Sequence, residues 1–201
     1  MKLILSKPLY LYFRSLLFLD REVAGKVRYD YDFVTETFRL DKDNKQYVKQ
    51  GTYQDVIPLI NNITFHSHPI VSYFKFKTPF GWPSLNDYRV LFQSFQEMIM
   101  HMVVAREGLW IIRFHKDWMC KKKCLTHLEV KQIYKQLQKQ IKDINHHMTI
   151  FSRSNKTIME SFLEYKKQIN HMIIKDRIQI FHITFQSWKK INKIKKKDKI
   201  K

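Results

Sequence analysis

Apolar positions along the chain change period several times, and each change marks an element. Leu9, Phe13, Leu16 and Leu17 recur at helical spacing and predict a helix over 8–20, with Ser6 placed to cap it and Pro8 tolerated in its first turn. From Glu22 the period falls to two. Val23, Gly25 and Val27 alternate with Glu22, Ala24 and Lys26, then Tyr29, Tyr31 and Phe33 alternate with charged residues, and this spacing predicts a strand. The polar stretch at 41–46 reads as a turn, and 47–54 as a short extended piece. In the next strand Ile63, Phe65 and Ser67 point to one face and Thr64, His66 and His68 to the other, until Pro69 ends it. Residues 70–83 read as a long aromatic loop closing in Gly81-Trp82-Pro83. A helix opens at Ser84, with Val90, Leu91, Phe92 and Phe95 facing inward. Met98–Ala105 and Leu109–Phe114 predict a hairpin around Arg106-Glu107-Gly108.

Beyond residue 116 the pattern turns helical. Ile133, Leu137, Ile141, Ile144 and Met148 form one apolar stripe, and Ile158, Phe162, Tyr165 and Ile169 a second. The break between them falls at 152–155, where Ser154 or Asn155 could cap the second helix. Residues 178–186 look extended and could return as an edge strand, and 189–201 form a basic tail.

With 201 residues and 44% apolar side chains, the chain can bury a core, as one large domain or two small ones, and a disordered or fibrous class is excluded. No apolar run reaches the roughly 18 residues of a membrane-spanning helix. Lys7 and Pro8 interrupt the apolar N-terminus, which does not read as a secretory signal. Two cysteines argue against a disulfide scaffold and for a reducing setting, cytoplasmic or nuclear. Few glycines and alanines beside many Lys, Ile, Phe, Tyr and Asn suggest an AT-rich genome, such as that of a large DNA virus, a protist or an organelle. Charge is uneven: residues 1–115 carry 15 basic and 11 acidic side chains, whereas 116–201 carry 22 and 7. The basic half could meet nucleic acid weakly and without sequence preference, or an acidic protein, or simply be a solvated surface.

Three separated pieces carry candidate chemistry: Glu22 at a strand start, His66 and His68 on another strand, and Ser84-x-x-Asp87 at a helix start. Histidines two apart on a strand project in parallel and can share one metal, and a carboxylate from a helix's first turn can be a third ligand. Two nitrogens and one oxygen leave a fourth position for water, the mark of a catalytic zinc site. Hydrolysis then needs a general base, for which Glu22 fits, and an oxyanion donor, for which the Ser84 hydroxyl fits. Taken singly, Ser84 and Asp87 are an ordinary capping pair, the histidines half-buried strand residues and Glu22 a solvated charge.

In order and type, Glu-Val-Ala-Gly (22–25), His-Ser-His-Pro (66–69) and Pro-Ser-x-x-Asp (83–87) resemble the JAMM motif of the MPN-domain metalloproteases. The resemblance covers roughly residues 5–118. It implies an α+β fold, a curved mixed sheet flanked by helices, for a domain at 1–118. A basic, mostly helical extension at 119–188 and the tail at 189–201 would follow. It also implies His66, His68 and Asp87 as ligands of one catalytic Zn2+, Glu22 as acid/base and Ser84 as oxyanion stabiliser. The activity implied is isopeptide hydrolysis of ubiquitin or ubiquitin-like conjugates. Other members of the wider family lack the ligands and act as scaffolds, so the alternative is a non-enzymatic scaffold or a viral structural or assembly component. One departure is clear: fifteen residues, 69–83, separate His68 from Ser84 where the family's pattern has seven.

Three further features read as structural. Cys120 and Cys124, with His127 nearby, hint at a second metal site, but two ordinary free cysteines are the simpler reading. His146, His147 and His171 read as helix-surface residues. The Met-rich run at 98–102 reads as core rather than chemistry.

Overall fold

A sheet whose neighbours are mostly distant in sequence organises the molecule. The computed structural model describes residues 2–43, 48–52, 56, 62–77, 81–93, 97–115, 118, 125–154, 156–171 and 178–185. The strands are β1 (Lys2–Leu5), β2 (Val23–Asp32), β3 (Thr37–Lys42), β4 (Val48–Gln50), β5 (Ile63–Ser67), β6 (Met100–Ala105), β7 (Gly108–Phe114) and β8 (Ile178–Thr184). The helices are α1 (Lys7–Leu16), α2 (Ile70–Phe76), α3 (Leu85–Gln93), α4 (His127–Arg153) and α5 (Ile158–Asn170). The sheet runs β1-β3-β2-β5-β6-β7-β8, with β4 pairing with the start of β2. The β1–β3 and β5–β6 pairs are parallel and the others antiparallel. The fold is therefore mixed α+β, a curled open sheet flanked by helices.

Helices cover both faces. Leu9, Phe13 and Leu16 of α1 pack with Val27, Phe38, Leu40, Phe65, Met100, Met102 and Ile111 on one side. On the other, Tyr88, Leu91 and Phe92 of α3 join Val103, Trp110 and Ile112 and the inner stripe of α4, Leu137, Ile141, Ile144 and Met148. Tyr165 of α5 and Ile178 of β8 belong to that same cluster, so the core of the C-terminal helices is continuous with that of the central strands. Among the described residues no helix is long and apolar enough to cross a membrane.

Most local readings meet the structure directly. Ser6 caps α1 by accepting from the Leu9 amide, and the hairpin and the returning edge strand form where their patterns lie. Gly108, at φ 152°, sits beneath β8, where an added Cβ would lie 2.3 Å from the Ile183 carbonyl. Several readings differ. The strand read from Glu22 through Phe33 ends at Asp32, Phe33 stands exposed in the turn that follows, and Thr37–Lys42 returns as β3. β1 was not foreseen from its sequence; its four residues pair with β3. The second long helix is capped by Thr157, not Ser154 or Asn155, because Glu160 three positions on completes a capping box with it. The stretch read as loop at 70–83 contains α2, whose apolar and aromatic residues have modest helix propensity. Tertiary contacts hold it there. Tyr73 donates to the half-buried Glu107 carboxylate and accepts from the Arg106 amide, and Glu107 also accepts from the Gly81 amide. Cys120, Cys124 and the tail at 189–201 lie outside the described residues.

Two contacts tie the C-terminal helices to the segment before α3. Trp82 donates through Nε1 to Asn145 of α4 at 2.9 Å. Tyr165 donates to the Pro83 carbonyl, which leaves its oxygen to accept from Tyr88 at 2.6 Å. Tyr165→Phe is expected to lower stability by about 1–3 kcal/mol, since Tyr88 would lose a buried partner. Denaturant unfolding of the variant checks this, and an unchanged midpoint would show that the clamp is dispensable.

Candidate metal centre

β5 supplies the first groups. Its alternation sends Ile63 and Phe65 into the α1-side core and turns Thr64 and His66 to the opposite face. His68 follows immediately, its amide donating to the Val104 carbonyl of β6. Parallel pairing sets Thr64 beside His101 and His66 beside Val103. Because Met100 and Met102 flank His101 and point to the α1 side, His101 faces the same way as Thr64 and His66.

The carboxylate comes from α3. Asp87 is the third residue of the helix, and its Oδ2 accepts from the Ser84 amide, the bond an acid makes in a capping box. This turns Oδ1 toward β5, where it lies 3.0 Å from His66 Nε2. The same His66 nitrogen is 3.0 Å from His68 Nε2, while His66 Nδ1 is 2.9 Å from His101 Nε2. His101 Nδ1 reaches the Thr64 hydroxyl at 2.8 Å. Asp87 is 2% exposed, His66 6% and His101 0%.

Charge in this cluster follows from burial. Burial, together with the neighbouring His66, lowers His68 to about 4 and His101 to about 3, with Asp87 pulling weakly the other way. Both imidazoles are therefore neutral at pH 7 and keep a lone pair. Burial alone would raise the Asp87 carboxyl, but His66, through charge and hydrogen bond, then His68 and His101, hold it well below the usual carboxylate range. An ionised carboxylate with the neutral His68 and His101 imidazoles nearby is a donor set suited to a divalent metal.

His66, Asp87 and His101 each present a ligand atom within 4.8 Å of the others, so this buried triad could hold a metal ion. His68 adds a nitrogen at the outer side of the same group. The contacts themselves are compatible with a cation. His66 Nε2 carries at most one proton yet lies 3.0 Å from both a carboxylate oxygen and a second imidazole nitrogen. Neighbouring ligands around a tetrahedral zinc are about 3.3 Å apart, given metal–nitrogen bonds of roughly 2.0–2.1 Å.

Of the other sequence candidates, Glu22 is buried at 7% exposure just before β2. Its amide and carbonyl pair with Thr52 and Gly51, and the Val23 amide donates to Ser67 Oγ. Carrying the antiparallel register outward from the Ala24–His66 pair sets Glu22 across from His68. Ser84 stands at the N-terminal end of α3 beside Asp87. The residue that sequence reading missed is His101. The signal was present: within Met100-His101-Met102 the period of two puts the histidine on the face opposite the two methionines, the face to which His66 also turns.

Compared with family models, with curated proteins and with solved structures, the chain matches none.

The titration of the metal-free protein is predictable in sign. His68 and His101 have folded-state values below the unfolded 6.5, so between the two the unfolded chain binds more protons. Their favourable contribution is complete above pH 6.5 and is lost as pH falls toward 4. Metal-free protein should therefore melt at clearly lower temperature at pH 5 than at pH 7.5. Equal melting temperatures would mean that these rings are not held neutral.

Proposed function

We propose that the protein is a zinc-dependent isopeptidase of the JAMM type, acting on ubiquitin or ubiquitin-like conjugates. The observation that carries this reading is the convergence of Asp87 Oδ1 and His68 Nε2 on one nitrogen of His66, with the buried Glu22 set across from His68. These are the residues whose types, order and spacing resemble the JAMM motif, apart from the longer 69–83 interval.

His66, His68 and Asp87 would hold the zinc. Held there, zinc supplies a water acidic enough to ionise near neutral pH. Glu22 takes up a proton at its carboxylate and returns it to the departing lysine amine. The Ser84 hydroxyl donates to the oxygen on which negative charge develops. The longer interval at 69–83, in which Tyr73 and Gly81 both bond Glu107, would bear on which conjugates can approach.

A second reading has its own support. Without metal, His66 Nε2–H can donate to Asp87, and Thr64, His101 and His66 can satisfy one another, so the cluster also suits a non-catalytic scaffold. The basic C-terminal half would then act in assembly, on nucleic acid or on an acidic protein surface.

Purified protein is expected to contain one zinc per chain and to cleave di-ubiquitin or a ubiquitin-like conjugate. His66→Ala combined with His68→Ala should abolish zinc binding, and zinc retained by that double variant would overturn the ligand assignment. Glu22→Gln should keep the zinc while turnover falls about 10²-fold or more. Full zinc occupancy with no cleavage of any such conjugate would favour the scaffold.

A further inference from the structure

His101 stands at His66 Nδ1, the ring nitrogen opposite the one that meets Asp87 and His68. We propose that His101 is a positioning residue. It takes the Nδ1 proton of His66, fixing the tautomer in which His66 Nε2 offers its lone pair to the metal, and it is not itself a ligand. This inference rests on the metal reading given above and adds a residue to it.

The geometry gives His101 this place and not a ligand's. Its Nε2 is 2.9 Å from His66 Nδ1, the ring nitrogen turned away from His68 and Asp87, and its Nδ1 is 2.8 Å from Thr64 Oγ1. Both nitrogens are thus engaged along a line leading away from the Asp87–His68 side. Its Nε2 is 4.0 Å from Asp87 Oδ1, beyond hydrogen-bond reach, whereas His66 Nε2 is at 3.0 Å. The two rings stack at 5.1 Å with 15° between their planes. His101 is wholly buried, so it has no solvent-facing orientation to adopt.

Counting protons gives the relay two self-consistent settings. In one, the Thr64 hydroxyl donates to His101 Nδ1, His101 Nε2–H to His66 Nδ1, and His66 Nε2–H to Asp87. In the other, His66 Nδ1–H donates to His101 Nε2 and His101 Nδ1–H to Thr64 Oγ1. The Thr64 hydroxyl then turns to the Met98 sulfur, 4.0 Å away. Only the second setting leaves His66 Nε2 unprotonated. Both rings stay neutral in both settings, so the change exchanges tautomers and neither gains nor loses a proton. A metal at His66 Nε2 selects the second. Hydrogen-bond partners behind a ligating histidine of this kind are commonly worth 10–100-fold in metal affinity.

Two measurements test this. Nitrogen-15 NMR of the wild-type histidines, metal-free and zinc-loaded, should show His66 and His101 passing together from Nε2–H to Nδ1–H. His101 remaining Nε2–H in the loaded protein overturns the proposal. His101→Leu should lower zinc affinity about 10–100-fold in competition with a chelator, and His101→Gln, which can accept from His66 Nδ1–H, should restore much of it. The visible spectrum of the cobalt(II)-loaded Leu variant should keep the wild-type band pattern, because the ligands are unchanged. A changed band pattern would make His101 a ligand, and an undiminished affinity would make it irrelevant; either overturns the proposal. Should the variants fail to fold, the wild-type NMR experiment still decides. A wild-type chain that takes up no zinc overturns the metal reading itself, whereas zinc uptake without the tautomer exchange overturns only the role of His101.

Discussion

The structure turns on one buried negative charge. Asp87 is removed from water within a seam between a sheet and a helix, a position in which an isolated carboxylate would be costly. Its two oxygens are therefore answered separately, one by the backbone amide of Ser84 and one by His66. Each answer constrains a different part of the fold. The first requires α3 to begin at Leu85, so that Asp87 stands in the first turn. The second requires β5 to present His66 away from the α1 side. The parallel register of β6 then brings His101 in behind, so a polar row runs through otherwise apolar layers. Such networks favour a unique packing when every member has a partner, and are destabilising when one is left without.

How much of this could be read from the residues depended on how local its cause was. The alternation of β2 and β5, the start of α3 just after Ser84 and the β6–β7 hairpin all follow from side chains within a few positions of each other. The placements of Glu22 just before β2, His66 within β5, His68 just after it and Ser84 and Asp87 at the start of α3 were legible for the same reason. α2 was not, because a helix of aromatic and apolar residues after a proline is held by Glu107, some thirty positions on. His101 was passed over because its run of methionines signalled core, which it also is. Its partner Thr64 becomes visible only once the parallel pairing of β5 with β6 is known. β1 illustrates the same limit: four residues carry too little pattern to announce a strand that depends on β3.

The charge asymmetry of the chain takes a different meaning in three dimensions. The C-terminal half holds most of the net positive charge, yet its helices contribute Leu137, Ile141, Met148 and Tyr165 to the same core as α3 and the central strands. Apolar stripes face inward while lysines such as Lys131, Lys135 and Lys142 remain exposed. Basic surface and site support thus belong to the same two helices. A partner bound to that surface would touch elements that, through Asn145 and Tyr165, hold the Trp82 indole and the Pro83 carbonyl just before Ser84.

That grip has a consequence for the order in which the protein comes into being. Tyr88 and Tyr165 lie 77 positions apart, and β8 closes against a strand that begins at Gly108. On a ribosome, Glu22, His66, His68 and Asp87 all emerge well before the helix that fixes the turn between them. Contacts of such long range are made late and slow folding. The clamp therefore cannot close until α5 has been made, after the candidate ligands that precede it in the chain. A nascent or truncated product would carry every motif residue and still lack the clamp that sets them in place.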